Sequence, residues 1–161
     1  VVAPGASISL RVWPYFKALL ERLSIYYPSY EIAVVGSKAE SAWHDVIAQS
    51  KLKNVTDLIE KTSVPELINF CAGSRLVIAN DSGVAHLAGT LTQVPTLVLF
   101  GPGNPDYIRP MRPNAYCEVP TEIPCHPCEK PQCHEKYGYQ ACLRSISLDK
   151  VLSHVLNLIP R

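Results

Sequence analysis

Short apolar, β-branched runs alternate along this chain with longer segments whose apolar residues recur every three or four positions. Few architectures accept that alternation. The strand-like runs are "EIAVVG" (residues 31–36), "RLVIA" (75–79) and "VPTLVLFG" (94–101), with a shorter one at Asn54-Val55 and an opening "VVAP" that reads as the end of a strand in progress. Between them lie helical segments. One opens at Trp13-Pro14 and carries Phe16, Leu19, Leu20 and Leu23 as a stripe. A second, "SKAESAWHDVIAQ", has Ser37 as its cap and Ala42, Val46 and Ile47 facing inward. A third is "SVPELINFCAG", with Pro65 near its start and Gly73 after its end. The last (about 147–159) shows Leu148, Val151, Leu152, Val155 and Leu158 on one face. This order predicts an α/β fold with a Rossmann-like parallel sheet and helices on both faces. Ligands of such sheets bind at the carboxyl ends of the strands, where the loops "PGAS", "GSKAE" and "NDSG" are expected.

The 161 residues suit one domain, and a hydrophobic fraction of 47% against 18% charged residues excludes a disordered chain. A formal net charge of +1 provides no broad field for nucleic acid, so no nucleic-acid partner is expected. No apolar run reaches the length of a membrane span. The abrupt start predicts a preceding domain outside this sequence. Residues 1–105 read as the sheet core. Residues 106–145, rich in Pro, Cys and Tyr, read as an ordered excursion with little regular structure. Cys71, alone in an apolar helix, reads as a core residue; the other five cysteines fall between Cys117 and Cys142. A chain with a core of this size does not need disulfides, which favours a reducing, cytoplasmic setting.

The stretch "NDSGVAHLAGT" (80–90) is the most suggestive chemically. Asn80, Asp81 and Ser82 are helix-cap types, and Gly83 lets a backbone approach closely. A helix opening after a strand gathers unpaired N–H groups at its positive end, where phosphate binds. An ordinary capped helix explains the same residues, and on this stretch alone the two readings stay level.

With its pieces in order, the chain resembles the carboxyl-terminal half of the ADP-heptose:lipopolysaccharide heptosyltransferases, glycosyltransferase family 9. The matching motifs are "APGAS" (3–7), "RVWP" (11–14), "VVGSKAE" (34–40), "ANDSGVAHLAG" (79–89) and "VPTLVLFGPGNP" (94–105), with a cysteine block ending in "CLRSIS". The resemblance implies one half of a GT-B fold, the half that binds the nucleotide sugar. It implies that Ser82 and Gly83 present amides to the pyrophosphate and that Ser7 adds a hydroxyl. Arg11, where the family usually carries lysine, would pair with the phosphates. Glu40 would hold the ribose, and Asp81 would hold sugar hydroxyls and order the turn. Each has a plainer reading as well: Arg11 as a solvated loop residue, Glu40 as a partner of the helix dipole, Asp81 as a cap. His86 reads as a buried histidine bonded to backbone, and Trp13 as a packing residue. The catalytic base would lie in the other half, so none is named.

Four cysteines, Cys125-x2-Cys128-x4-Cys133-x8-Cys142, sit beside His126 and His134. Structural zinc, disulfides and reduced thiols packed under a loop all fit this spacing. The resemblance promises no metal and no cofactor, and sugar transfer needs no thiol nucleophile. The activity that the resemblance implies is inverting transfer of heptose from an ADP-sugar donor to a lipopolysaccharide core acceptor, the acceptor reached through the other half, with the full-length protein cytoplasmic or peripheral at the inner membrane. The alternatives are a GT-B domain for another nucleotide sugar, or a non-catalytic nucleotide-binding or interaction module.

Overall fold

The computed structural model describes residues 1–128, 130 and 132–160. Six strands form a single sheet: β1 (Val2–Ala3), β2 (Ile32–Val34), β3 (Val55–Asp57), β4 (Val77–Asn80), β5 (Thr96–Leu99) and β6 (Ala115–Glu118). Every pairing is parallel, and the order is β3-β2-β1-β4-β5-β6. This is the doubly wound Rossmann order, in which the direction of winding reverses between β1 and β4. The helices are α1 (Phe16–Tyr26), α2 (Trp43–Ser50), α3 (Val64–Ala72), α4 (Gly83–Leu91), α5 (Pro105–Ile108), α6 (Ala141–Ser145) and α7 (Leu148–Leu158).

Period-two alternation in the strands sorts side chains between two cores. Val2, Ile32, Val34, Ile78, Leu97 and Leu99 face one side, where the α1 stripe Phe16, Leu19, Leu20 and Leu23 packs with Val151, Leu152 and Val155 of α7. Ala3, Val35, Ala79, Val98 and Phe100 face the other, over Ala85 of α4. A third cluster, Cys71, Val77, Ala88 and Val94, joins α3 and α4 to the same face. Helices therefore cover both faces, as the sequence predicts. Trp13 is 1% exposed, meets Phe16 edge-to-face at 5.3 Å and donates its indole N–H to Ile146 O at 2.8 Å. It is a packing residue.

Three expectations need correction. The helix beginning at Ser37 is broken: a 3-10 turn (Lys38–Glu40) capped by Ser37 precedes α2, Ala42 is exposed, and Val46 and Ile47 are only half-buried. Trp43 and Ile47 are the α2 residues that pack on the core. Helix α1 begins at Phe16, with Pro14 in the turn before it. The Pro/Cys-rich excursion is also more regular than its composition suggests. It supplies the edge strand β6 and two short helices, α5 and α6.

β6 is fixed by an unlike pair of bonds. Glu118, 7% exposed, accepts from Lys150 Nζ at 2.7 Å and meets His154 Nδ1 at 2.7 Å, which binds α7 to the sheet edge. On the opposite edge, His44 of α2 pairs with Asp57 of β3, and its Nε2 lies 3.7 Å from Glu60. The Asp57 hydrogen bond, opposed by partial desolvation, raises the His44 pKa above its ordinary 6.5. Burial alone would raise Asp57, but bonds from His44 and the Ile59 N–H leave its pKa lowered from 3.8. The folded ring holds its proton more tightly than the unfolded one. The contribution of this pair is therefore complete below about pH 6.5 and vanishes as pH rises through the raised value; at the acid end it fades as pH falls through the lowered value of Asp57. The stability gap between wild type and His44→Ala should accordingly close with rising pH in urea titrations. A gap independent of pH across the neutral range would refute the ion pair.

Candidate functional site

Two loops meet at the switch point of the sheet, one leaving β1 and the other leaving β4. A single buried side chain joins them. Asn80, 0% exposed at the end of β4, accepts the Trp13 N–H on Oδ1 at 2.9 Å and donates Nδ2 to Pro4 O at 2.8 Å and Gly5 O at 3.1 Å. The sequence marks Asn80 only as a cap type; in the fold it gives the "APGAS" loop its shape.

Over the carboxyl ends of β1, β2 and β4 opens a cavity of about 610 Å³, with Gly5, Ser7, Lys38, Glu40, Ser82 and Gly83 among its walls. That volume suits a nucleotide-sized ligand. Four of the six residues singled out from sequence (Ser7, Glu40, Ser82 and Gly83) thus share one space. Glu40 lies across both neighbouring loops. Its Oε2 accepts the Ser37 N–H at 2.7 Å and Ser37 Oγ at 2.8 Å, completing a capping box. A Cβ built on Gly5 would sit 2.3 Å from Glu40 Oε1, and one on Gly36 would sit 2.9 Å from Glu40 Cβ. Glycine at these two positions is what lets the carboxylate reach over the loop. Lys38, a wall cation, was not marked by sequence reasoning because an exposed lysine on a turn carries no signal.

The start of α4 differs from its neighbours. The Ser147 side chain caps α7 through Lys150 N, and Ser63 and Glu66 form a box at α3, whereas the Ser82 side chain makes no cap bond. Ser82 Oγ is buried without a hydrogen-bond partner. A Cβ on Gly83 would meet nothing within 4 Å. The first turn of α4 therefore leaves open space over its amides at Gly83, with the unpaired Ser82 hydroxyl buried beside them, an arrangement that accepts an anion.

Arg11 and Asp81 stand beside this cavity. Arg11 ends a 3-10 turn (Ser9–Arg11), and its Nη1 lies 3.1 Å from Asp81 Oδ2, an ion pair lacking hydrogen-bond alignment. The Asp81 side chain is 4% exposed, that of Arg11 31%. Arg11 also lines an adjoining cavity of about 240 Å³ with Pro102, Gly103, Ile108 and Lys130. Gly103 permits that approach: a Cβ there would be 3.1 Å from Asp81 Oδ2. His86 is not the buried histidine expected. Its side chain is 46% exposed, and Nε2 lies 3.7 Å from Asp81 Oδ1. It ends a row of polar side chains, Arg11, Asp81 and His86, beside the turn.

Burial pushes the Cys71, Cys117 and Cys142 thiols up, away from the thiolate form, and all six cysteines are free. No helix among the described residues is long and apolar enough to cross a membrane.

The family profile of glycosyltransferase family 9 (heptosyltransferase) matches residues 1–138. Lipooligosaccharide heptosyltransferase 2 of Campylobacter jejuni (serotype O:6) is 28% identical over 163 residues, covering 96% of this chain and 49% of that protein. Lipopolysaccharide heptosyltransferase 1 of Pseudomonas aeruginosa is 33% identical over 131 residues, covering 80% and 36%. Among solved structures, Escherichia coli ADP-heptose heptosyltransferase II superposes with a TM-score of 0.77 at 22% identity, over 98% of this chain and 45% of that one. E. coli heptosyltransferase WaaC, solved with ADP, gives 0.75 at 16% identity, over 98% and 43%. These superpositions show the fold: the sheet is of the kind found in GT-B heptosyltransferases. The chain spans about half the length, or less, of the relatives named here. By the extent of the profile match, it belongs to glycosyltransferase family 9, the heptosyltransferases.

Proposed function

We propose that this chain is the donor-binding half of an inverting glycosyltransferase that moves heptose from an ADP-activated donor to the lipopolysaccharide inner core. The carrying observation is the uncapped start of α4, whose orphaned Ser82 hydroxyl and open Gly83 face the same cavity as Glu40. That separation suits a nucleoside diphosphate: an anion receptor at one wall and a carboxylate acceptor for ribose hydroxyls at another. Family membership supports sugar transfer, and the presence of ADP in the WaaC structure supports adenine nucleotide as the carrier.

In this reading Ser82, Gly83 and the Ser7 hydroxyl bind the pyrophosphate, and Arg11 pairs with its outer oxygens. Asp81, held by Arg11 and His86, orders the turn and borders the sugar hydroxyls. The acceptor hydroxyl attacks the anomeric carbon from the face opposite the leaving group, losing its proton to a base outside these residues. Negative charge grows on the departing ADP, and the α4 amides with Arg11 stabilise it.

Titration calorimetry of the intact protein with ADP, UDP, GDP and adenosine tests the reading. ADP should bind more tightly than UDP or GDP. Arg11→Ala should weaken ADP by roughly tenfold to thirtyfold, about 1.5–2 kcal/mol, and leave adenosine unchanged. Preference for UDP would reassign the donor to a uridine sugar. Absence of nucleotide binding would leave an interaction module, and equal losses for ADP and adenosine would show that Arg11 acts only through folding.

A further inference from the structure

The cavity that holds Glu40, Ser82 and Gly83 does not end at β2. Its far wall is the segment after β3, with Glu60, Val64 and Leu67. In the sheet order β3-β2-β1-β4 the groups stand in a row: the uncapped turn after β4, the Glu40 carboxylate after β2, and Glu60 after β3. Strands β3 and β4 are three strand spacings apart, about 14 Å. Phosphate, ribose and base follow one another in the same order along a nucleotide. A ligand with its diphosphate at α4 and its ribose at Glu40 therefore carries its base to Glu60.

The backbone of Glu60 is strained. Its φ is 58°, in the left-handed region that glycine occupies freely and other residues enter at a cost. Lys51 takes that conformation to end α2, and Gln140 takes it to open α6. Glu60 caps no helix, and among the described left-handed residues other than glycine it alone lines this cavity. Strain of this kind collects where a ligand is gripped. The Glu60 N–H donates to Gly36 O at 3.0 Å, which ties the loop after β3 to the loop after β2. The carboxylate is held as well: His44, anchored through Nδ1 to Asp57, brings Nε2 to 3.7 Å from Glu60 Oε2. Beside it Val64 is 57% exposed, an apolar surface left open in the cavity wall. A flat ring fits against Val64 and Leu67 with an acceptor-only group at its edge.

We propose that Glu60 is a specificity-determining residue for the base of the donor, its carboxylate accepting the exocyclic amino group of adenine. The assignment rests on the donor-site reading. A carboxylate offers acceptors alone, so it bonds a 6-amino group and opposes the 6-oxo group of hypoxanthine or guanine and the 4-oxo group of uracil. The Glu60 side chain is 42% exposed, and water satisfies it in the free protein. An oxo base would displace that water and return no hydrogen, which is how a polar site rejects the wrong ligand.

Titration calorimetry of the intact protein with ADP and inosine diphosphate, which carries a 6-oxo group, tests the assignment. The wild type should bind ADP roughly tenfold to 100-fold more tightly. In Glu60→Gln, whose amide can serve either base, the ratio should fall toward one, chiefly because inosine diphosphate gains. Glu60→Gly should also lose the preference, and its thermal melt should lie at or above that of the wild type, since glycine relieves the left-handed backbone. A merely structural Glu60 would shift both nucleotides equally and leave the ratio intact in both variants, which would overturn the assignment. So would a wild type that binds the two nucleotides alike or prefers inosine diphosphate; in each of these cases the donor-site reading stands. Failure of the wild type to bind either diphosphate would overturn both.

Discussion

Asn80→Ala should lower the stability of this protein by about 3 kcal/mol, although Asn80 lies behind the cavity and not in its wall. The truncation strands two buried groups, the Trp13 N–H and the Pro4 carbonyl, and a half-buried third, the Gly5 carbonyl. The two buried groups lose a partner that water cannot replace, at about 1 kcal/mol or more apiece, and the small cavity left behind adds to the loss. Asn80→Asp should cost as much. It keeps an acceptor for Trp13 but sets a carboxylate against two carbonyl oxygens that need donors. Denaturant unfolding measures both. A loss under about 1 kcal/mol in Asn80→Ala would mean that the loop after β1 holds its shape unaided. Nucleotide affinity should fall in the same variants, because the loops that Asn80 joins carry Ser7 and Arg11.

Gly83→Val should act in the opposite manner, leaving stability unchanged within about 0.5 kcal/mol while weakening ADP by roughly 100-fold to 1,000-fold, about 2.7–4 kcal/mol. The added Cβ meets no protein atom within 4 Å, so folding gains no clash. The isopropyl group instead occupies the space over the first amides of α4, where phosphate oxygens would need to come within hydrogen-bond distance. Adenosine, which has no phosphate, should bind as before. Calorimetry with ADP and adenosine, beside a thermal melt, separates the cases. Undiminished ADP affinity would return this turn to an ordinary helix start.

Much of the frame is legible in the residues. The runs at 31–36, 75–79 and 94–101 become β2, β4 and β5 because a strand buried on both faces needs continuous apolar character. The α1 stripe is legible for the same reason in another period: Phe16, Leu19, Leu20 and Leu23 are all buried. Strand β6 was not. Its residues Ala115, Tyr116, Cys117 and Glu118 carry little apolar signal and lie among prolines, and they are strand because β5 offers an open edge and Lys150 and His154 hold Glu118 there. Within the site, Ser7, Glu40, Ser82 and Gly83 were readable from motif order, since each belongs to a loop at the same sheet edge. The task of Asn80 was not, because its partners stand 67 to 76 residues away and side-chain bonds at that range leave no local pattern. His86 was misjudged for a related reason: helical spacing says which face a residue occupies and not whether a neighbouring loop leaves that face open.

The position of β1 has a consequence for how the molecule comes together. This two-residue strand pairs with Val34 on one side and with Ile78 and Ala79 on the other, so it is the seam between the two halves of the sheet. Val2 and Ile78 lie far apart in the sequence, so pairing β1 with β4 carries a larger loop-closure cost in chain entropy than any helix on either flank. The cavity wall is assembled from both sides of the seam: Gly5 and Ser7 beyond β1, Ser82 and Gly83 beyond β4. Until the seam is closed, the two parts of that wall are apart. A ligand taken up in the cavity would therefore stabilise only the finished fold.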